Sequence, residues 1–277
     1  MVALNRNGIV ITVFSTASAV GKTLLAVNLT AELARQGFRT CVVDLDLQFG
    51  DVANFLQLKP EKTIFDAQQD IEKDAISFDP ETYVTPYEYD GTAFFAVTAP
   101  TKLEQAYNAS PQSIGKVISE LRHKFDYIII DTTSAFSELN LQVMDLSTIV
   151  TAVAIVDFIP TIKNMKIGYE AMKKIGYASN KIRFILNRSN AKTNIEIADV
   201  EQLMDAQFYH VLPNDFKSAV ESIHSGIPIV LDRAKSNSLL GQGLREMADK
   251  YTNRMGPVKA IKTQPQRTGL FSGLFRK

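Results

Sequence analysis

Three short segments carry residue types and spacings suited to phosphate chemistry. The first is Gly21-Lys22-Thr23, which follows the apolar run Gly8–Phe14 and a short loop from Ser15 to Val20, and opens a stretch of helical periodicity. A strand, a tight loop and Gly-Lys-Thr at the start of a helix is the layout of a P-loop. Backbone N–H groups and the helix N-terminus cradle phosphates, the lysine reaches the β- and γ-phosphates, and the threonine hydroxyl binds Mg2+. The full pattern places a glycine five residues before Gly21, where this chain has Thr16. The second segment, Val42-Val43-Asp44-Leu45-Asp46, ends an apolar run with two carboxylates, and the third, Ile128-Ile129-Ile130-Asp131, ends another with one. Aspartates at the C-terminal ends of parallel strands lie in the crevice that would also hold the P-loop. An apolar strand ending in aspartate also suits a carboxylate that holds Mg2+ through water. The plainer alternative is that such aspartates cap the turns that follow them.

These residues meet only if a parallel sheet brings them together. Strand-like apolar runs occur at Gly8–Phe14, Thr40–Asp44, Ala93–Val97, Tyr127–Asp131, Ile149–Val156, Ile182–Asn187 and Phe208–Leu212. Several are continuously apolar, as strands covered on both faces are. Helical patterns lie between them at Lys22–Gln36, Ser113–Lys124, Ile162–Gly176, Ile195–Asp205, Phe216–Ser225 and Ser238–Tyr251, the last with Ser236 or Asn237 as its expected cap. This alternation predicts an α/β fold, a doubly wound, mostly parallel sheet with helices on both faces.

Composition narrows the rest. The chain has 277 residues, 45% hydrophobic and 22% charged, with thirty basic residues against thirty acidic ones. Cys41 is the only cysteine, which excludes an internal disulfide and a cysteine-built metal centre within one chain. His123, His210 and His224 are dispersed without metal-ligand spacing. The N-terminal run lacks the small-residue cleavage site of a signal peptide, and no apolar run approaches the ~20 residues of a membrane span. The zero net charge is a sum of opposites. Residues 251–277 hold Arg254, Lys259, Lys262, Arg267, Arg276 and Lys277 and no acid, so the remainder holds twenty-four basic residues against thirty acidic. An acidic body of residues 1–251, a basic linker over 252–267 and a terminal helix over 268–277 are the expected divisions. In that terminal segment Leu270, Phe271, Leu274 and Phe275 share one helical face, followed by Arg276 and Lys277. Such a face with flanking basic charge suits an interfacial helix on anionic lipid; a helix docked on the domain or a partner, or a frayed end, is the plainer alternative.

From Gly8 to Tyr251 the chain resembles the MinD/ParA family of P-loop ATPases with a deviant Walker A loop, and within it the ATPase domain of the CpaE/TadZ pilus-assembly proteins. The residues that carry the resemblance are Gly21-Lys22-Thr23, Asn28, the segment from Asp44 to Asp51, Tyr127–Asp131, Leu186-Asn187-Arg188, Leu212-Pro213-Asn214-Asp215 and Ser225–Ile229. The resemblance implies that ATP or ADP with Mg2+ is bound by the loop Ala17, Ser18, Ala19, Val20, Gly21, Lys22 and Thr23. It further implies that Asn187, Arg188 and Pro213 surround the adenine, that Thr23, Asp44 and Asp131 lie at the Mg2+, and that Lys22 and Asp46 serve catalysis, Asp46 by orienting the attacking water. The terminal segment resembles the membrane-targeting helix of MinD.

Departures from the family pattern matter as much. Where the family loop reads Lys-Gly-Gly-x-Gly-Lys-Thr, this chain has Ala17, Ser18 and Ala19 in the first three positions, and Leu24 replaces a second threonine. Thr132-Thr133-Ser134-Ala135 stands where a glycine that senses the γ-phosphate is usual. A positive charge and several glycines are therefore missing, which implies nucleotide binding with slow or absent Mg2+-dependent hydrolysis. The resemblance implies a homodimer that sandwiches nucleotide and sits peripherally on the inner face of the cell membrane. It further implies that this dimer positions a pilus or secretion machine, or a cell-division regulator. A catalytically dead scaffold and a ParA-type DNA-partitioning ATPase are the alternatives, the latter disfavoured by the acidic body.

Overall fold

The structure, a computed structural model, describes residues 7–157, 159–189 and 195–253. Eight strands form one sheet: β1 (Ile9–Phe14), β2 (Thr40–Asp44), β3 (Thr85–Tyr89), β4 (Thr92–Val97), β5 (Tyr127–Asp131), β6 (Ile149–Ala154), β7 (Ile182–Leu186) and β8 (Phe208–Val211). Their spatial order is β3-β4-β2-β5-β1-β6-β7-β8. Every pairing is parallel except β3 with β4. The helices are α1 (Lys22–Arg35), α2 (Val52–Phe55), α3 (Ile64–Lys73), α4 (Leu103–Tyr107), α5 (Pro111–Leu121), α6 (Glu138–Leu146), α7 (Ile159–Lys174), α8 (Ile197–Met204), α9 (Phe216–Ser225) and α10 (Leu239–Tyr251).

The central strands β2, β5 and β6 are buried at every residue, as their uninterrupted apolar runs require. Successive side chains alternate between the two faces. Ile11, Val13, Val42 and Ile129 pack with α1 and α10, whereas Val10, Val43, Ile128 and Ile130 pack with α3 and α5. Further along that second face, Val150, Ala152 and Phe184 pack with α7 and α8. The expected doubly wound α/β fold is the one observed.

Several elements escape the sequence reading. The edge strand β3 reads Thr-Pro-Tyr-Glu-Tyr and is mostly half-exposed, so no apolar run marks it. It joins β4 through Asp90 and Gly91, both at positive φ (49° and 77°), the geometry of a tight hairpin turn. Helices α2, α3, α4 and α6 also go unread. In α3 the Asp66 carboxylate accepts from the Thr63 amide at 2.7 Å and caps the first turn. The cap of α10 is Ser238, whose hydroxyl accepts from the Gly241 amide, and not Ser236 or Asn237. Residues 155–156, 187 and 212, read as strand ends, lie just beyond β6, β7 and β8.

Candidate functional site

Sheet register assembles the site. Asp44 and Asp131 are direct partners across the β2–β5 pair, and Asp131 also faces Val13 of β1, one residue before that strand ends. Two carboxylates and the loop from Ser15 to Gly21 therefore share one edge of the sheet.

The loop turns through two residues at positive φ, Ala19 (57°) and Gly21 (93°). Gly21 caps α1 and has no side chain to offer, so the first-turn N–H groups are left for another acceptor. A Cβ on Gly21 would lie 2.7 Å from Asn187 Nδ2, so glycine is needed there for both conformation and room. The loop is braced from outside. Asn187 Nδ2 donates to the Val20 carbonyl at 2.9 Å and Arg188 Nη2 to the Ala19 carbonyl at 3.0 Å. The Ser15 hydroxyl accepts from the Ala17 amide at 3.1 Å. Helix α7 presses on the loop at Gly168, where a Cβ would meet Thr16 Cγ2 at 2.4 Å. Ser18 is exposed and Val20 is buried.

The charged groups meet at the mouth of the loop. Lys22 Nζ donates to Ser134 Oγ at 2.9 Å, and the Thr23 hydroxyl donates to Asp131 Oδ2 at 2.6 Å. Asp44 Oδ1 accepts from the Asp46 amide at 3.1 Å and Oδ2 from the Val52 amide at 3.0 Å, so Asp44 does cap its turn as the plainer alternative had it. Gly50 permits that turn, because a Cβ there would lie 2.6 Å from Asp44 Oδ2. Asp46 Oδ1 accepts from the Phe49 amide at 3.2 Å.

Burial sets the electrostatics. It pushes the Asp131 carboxyl up to about 7, with the Thr23 bond and the Lys22 charge pulling the other way. Asp44 is also held well above the carboxylate range, first by burial and next by Asp131, against the amides of Val52 and Asp46. Burial lowers the Lys22 ammonium, opposed by Asp131 and Asp46. Asp131 Oδ1 is buried without a hydrogen-bond partner. Two adjacent buried carboxylates, one with an orphaned oxygen, beside a threonine hydroxyl form a hard oxygen donor set that suits Mg2+. Among the described residues no cluster of three or more His, Cys, Asp or Glu side chains could hold a metal alone. Mg2+ typically takes one or two carboxylates and completes its shell with phosphate oxygens and water. The residues present fit Mg2+ and a nucleotide.

Beside the loop lies a cleft of about 120 Å³, lined by Gly21, Leu24, Asn187, Arg188, Pro213 and Phe216 among others. Asn187, Arg188 and Pro213, expected to surround a base, do share this cleft with the loop glycine. The apolar wall was not read from the sequence. Phe216 is 68% exposed and Ile223 45% exposed, and with Ala219 and Val220 they form an i, i+3, i+4, i+7 stripe on α9. An apolar-walled slot next to a phosphate-cradling loop suits a planar base joined to phosphates. His210 lies away from the cleft's lining, bonded to the Gly243 carbonyl and pushed down to about 4 by burial. Leu270, Phe271, Leu274, Phe275, Arg276 and Lys277 lie outside the described residues. Among the described residues no helix is long and apolar enough to cross a membrane.

Comparison with known proteins gives the family and the fold. The family model described as the CobQ/CobB/MinD/ParA nucleotide binding domain matches residues 11–229. The septum site-determining protein MinD of Thermotoga maritima is 22% identical over 257 residues, 91% of each chain. A ParA family ATPase from Chlorobium tepidum TLS has a TM-score of 0.79 at 19% identity, covering 88% of this chain and 98% of its own. The septum site-determining protein MinD from Pyrococcus horikoshii OT3, solved in complex with Mg-ADP, has a TM-score of 0.75 at 23% identity, covering 88% and 96%. The two solved structures share this fold.

Proposed function

The chain belongs to the CobQ/CobB/MinD/ParA nucleotide-binding family, and from that premise we propose that it is a nucleotide-regulated positioning protein that acts on a membrane surface. The observation that carries the nucleotide half is the Lys22, Thr23 and Asp131 cluster at the mouth of the loop, beside an apolar cleft. ATP or ADP would lie with its phosphates over the loop from Ala17 to Thr23 and its base in the cleft of Asn187, Arg188 and Pro213. Thr23 and Asp131, with Asp44 behind them, would hold Mg2+, which when bound neutralises charge on the phosphates. Asp46 would orient a water at the loop mouth.

Binding, more than turnover, would set the state of the protein. Ala17 brings no charge to the phosphates, and Ala19 holds a backbone conformation better suited to glycine. Two copies would sandwich the nucleotide and present two basic tails through Leu270, Phe271, Leu274, Phe275, Arg276 and Lys277. One tail binds an anionic membrane weakly and two bind more firmly by avidity. The positioned partner would be a pilus or secretion machine, as in CpaE/TadZ proteins, or a cell-division regulator. The acidic body argues against a ParA-type role on DNA. Cosedimentation with anionic liposomes tests the reading, using the full chain and one ended near Lys250, with and without Mg-ATP. The full chain should pellet more with Mg-ATP and the shortened chain should not pellet. A full chain that stays in the supernatant under every condition removes the membrane role.

A further inference from the structure

Ser134 lies in the loop that follows β5. Its hydroxyl makes two hydrogen bonds, and both go to the phosphate loop: it accepts from Lys22 Nζ at 2.9 Å and donates to the Ala17 carbonyl at 2.7 Å. The chain Lys22–Ser134–Ala17 thus closes the loop into a ring through a residue distant in sequence. We propose that Ser134 is a positioning residue that fixes the Lys22 ammonium over the loop for nucleotide phosphates, a role that rests on the nucleotide reading above.

The support under Ser134 separates this role from a merely structural one. Asn140 is fully buried, and its Nδ2 donates to Thr133 O at 3.3 Å, Thr133 Oγ1 at 2.9 Å and Ala135 O at 2.7 Å, on both sides of Ser134. The Thr132 hydroxyl ties the same loop to the Val13 carbonyl of β1 at 2.9 Å. The loop after β5 is therefore held without the Ser134 hydroxyl. What that hydroxyl adds is a fixed acceptor for Lys22 and a fixed donor to Ala17.

The chemistry of Lys22 needs such an acceptor. A half-buried ammonium is costly unless hydrogen-bonded. Its stem has four rotatable carbons, so an unanchored head loses entropy when it engages phosphate. One bond to a rigidly held hydroxyl places the head and leaves two N–H donors for phosphate oxygens. The first loop positions, Ala17, Ser18 and Ala19, include no charged or amide side chain that could share the task.

The test uses the full chain and its Ser134→Ala and Ser134→Thr variants, titrated with a fluorescent ATP analogue in Mg2+. Ser134→Ala should weaken binding about tenfold, the weight of a hydrogen bond to a charged group, and Ser134→Thr, which keeps the hydroxyl, should restore it. Unchanged or tighter binding in Ser134→Ala, or no rescue by Ser134→Thr, overturns the proposal; tighter binding would mean that the hydroxyl competes with phosphate. Amide exchange of residues 15–22 in the nucleotide-free full chain provides a readout independent of nucleotide. Exchange should quicken in Ser134→Ala and not in Ser134→Thr. If the unaltered chain fails to bind the analogue, the nucleotide reading falls. Exchange at an unchanged rate in the alanine variant would then remove the Lys22–Ser134–Ala17 link as well.

Discussion

Replacing Asp131 by asparagine tests whether the site stores charge that the folded chain alone cannot compensate. Asp131 titrates at about 7 in the folded chain against an ordinary 3.8. At ~1.4 kcal/mol for each pH unit, that gap amounts to roughly 4 kcal/mol. An acid with a raised folded pKa destabilises in one direction only. Between the two values the unfolded chain has released its proton and the folded chain has kept it, so stability is lost as pH rises and the whole cost is present above the folded pKa. Asparagine removes the charge and can still accept the Thr23 bond. It also places an amide nitrogen where Asp131 Oδ1 is buried without a partner, at a cost of about 1–3 kcal/mol. The variant should therefore be more stable than the unaltered chain by about 1–3 kcal/mol near pH 8, and that advantage should vanish near pH 4, where folded Asp131 is neutral and little of its cost remains. Asp44, relieved of the neighbouring charge, shifts the balance further the same way. At ~2–4 °C per kcal/mol for a chain of this size, the gain is several degrees in Tm. Thermal melts of the nucleotide-free full chain across that pH range, without Mg2+, read it directly. A difference between the two proteins that stays flat with pH, or a variant less stable at alkaline pH, refutes the reasoning.

Further predictions concern the loop and the cleft. Ala19→Gly removes a strain of about 1–2 kcal/mol at positive φ and adds about 0.5–1 kcal/mol of unfolded-state entropy, so urea melts should show a net gain of up to ~1.5 kcal/mol. Phe216→Ala should lower affinity for ATP while leaving the affinity for tripolyphosphate unchanged, since only the base would contact the cleft wall; calorimetric titration with both ligands checks this. Gly21→Ala should abolish nucleotide binding, because its Cβ meets Asn187 Nδ2 and its φ of 93° disfavours any side chain; nitrocellulose filter binding with radiolabelled ATP reads that loss.

The strand core was legible because burial on both faces writes itself as continuous apolar runs, as in Tyr127–Asp131. The carboxylates were legible because they end those runs, and Gly21-Lys22-Thr23 because a helix opens on them. Edge strand β3 carries no such run, although the Asp90-Gly91 pair preceding β4 is itself a hairpin signal. The Thr63 and Asp66 pair was likewise a cap for α3 that an apolar scan passes over. Asn140 and Gly168 were not readable as site residues, and Ser134 and Gly50 came near the site only through the family resemblance of their segments. Ser134 and Gly168 act through contacts across long stretches of chain, such as the bond from Lys22 to Ser134 over 112 positions, whereas Asn140 and Gly50 act on near neighbours. Nothing in the local sequence of Ser134 or Gly168 announces such a contact. Phe216 falls between these cases: its helical stripe was visible, but an apolar stripe normally faces a core, and here it walls a cleft.

The central claim is that Lys22, Thr23 and Asp131 form a Mg2+-nucleotide site. Calorimetric titration of the full chain with ATP, with and without Mg2+ and alongside Lys22→Met, tests it most directly. Saturable binding that weakens without Mg2+ and disappears in Lys22→Met is the predicted result. Absence of binding at millimolar ATP, or equal binding by Lys22→Met, would contradict it.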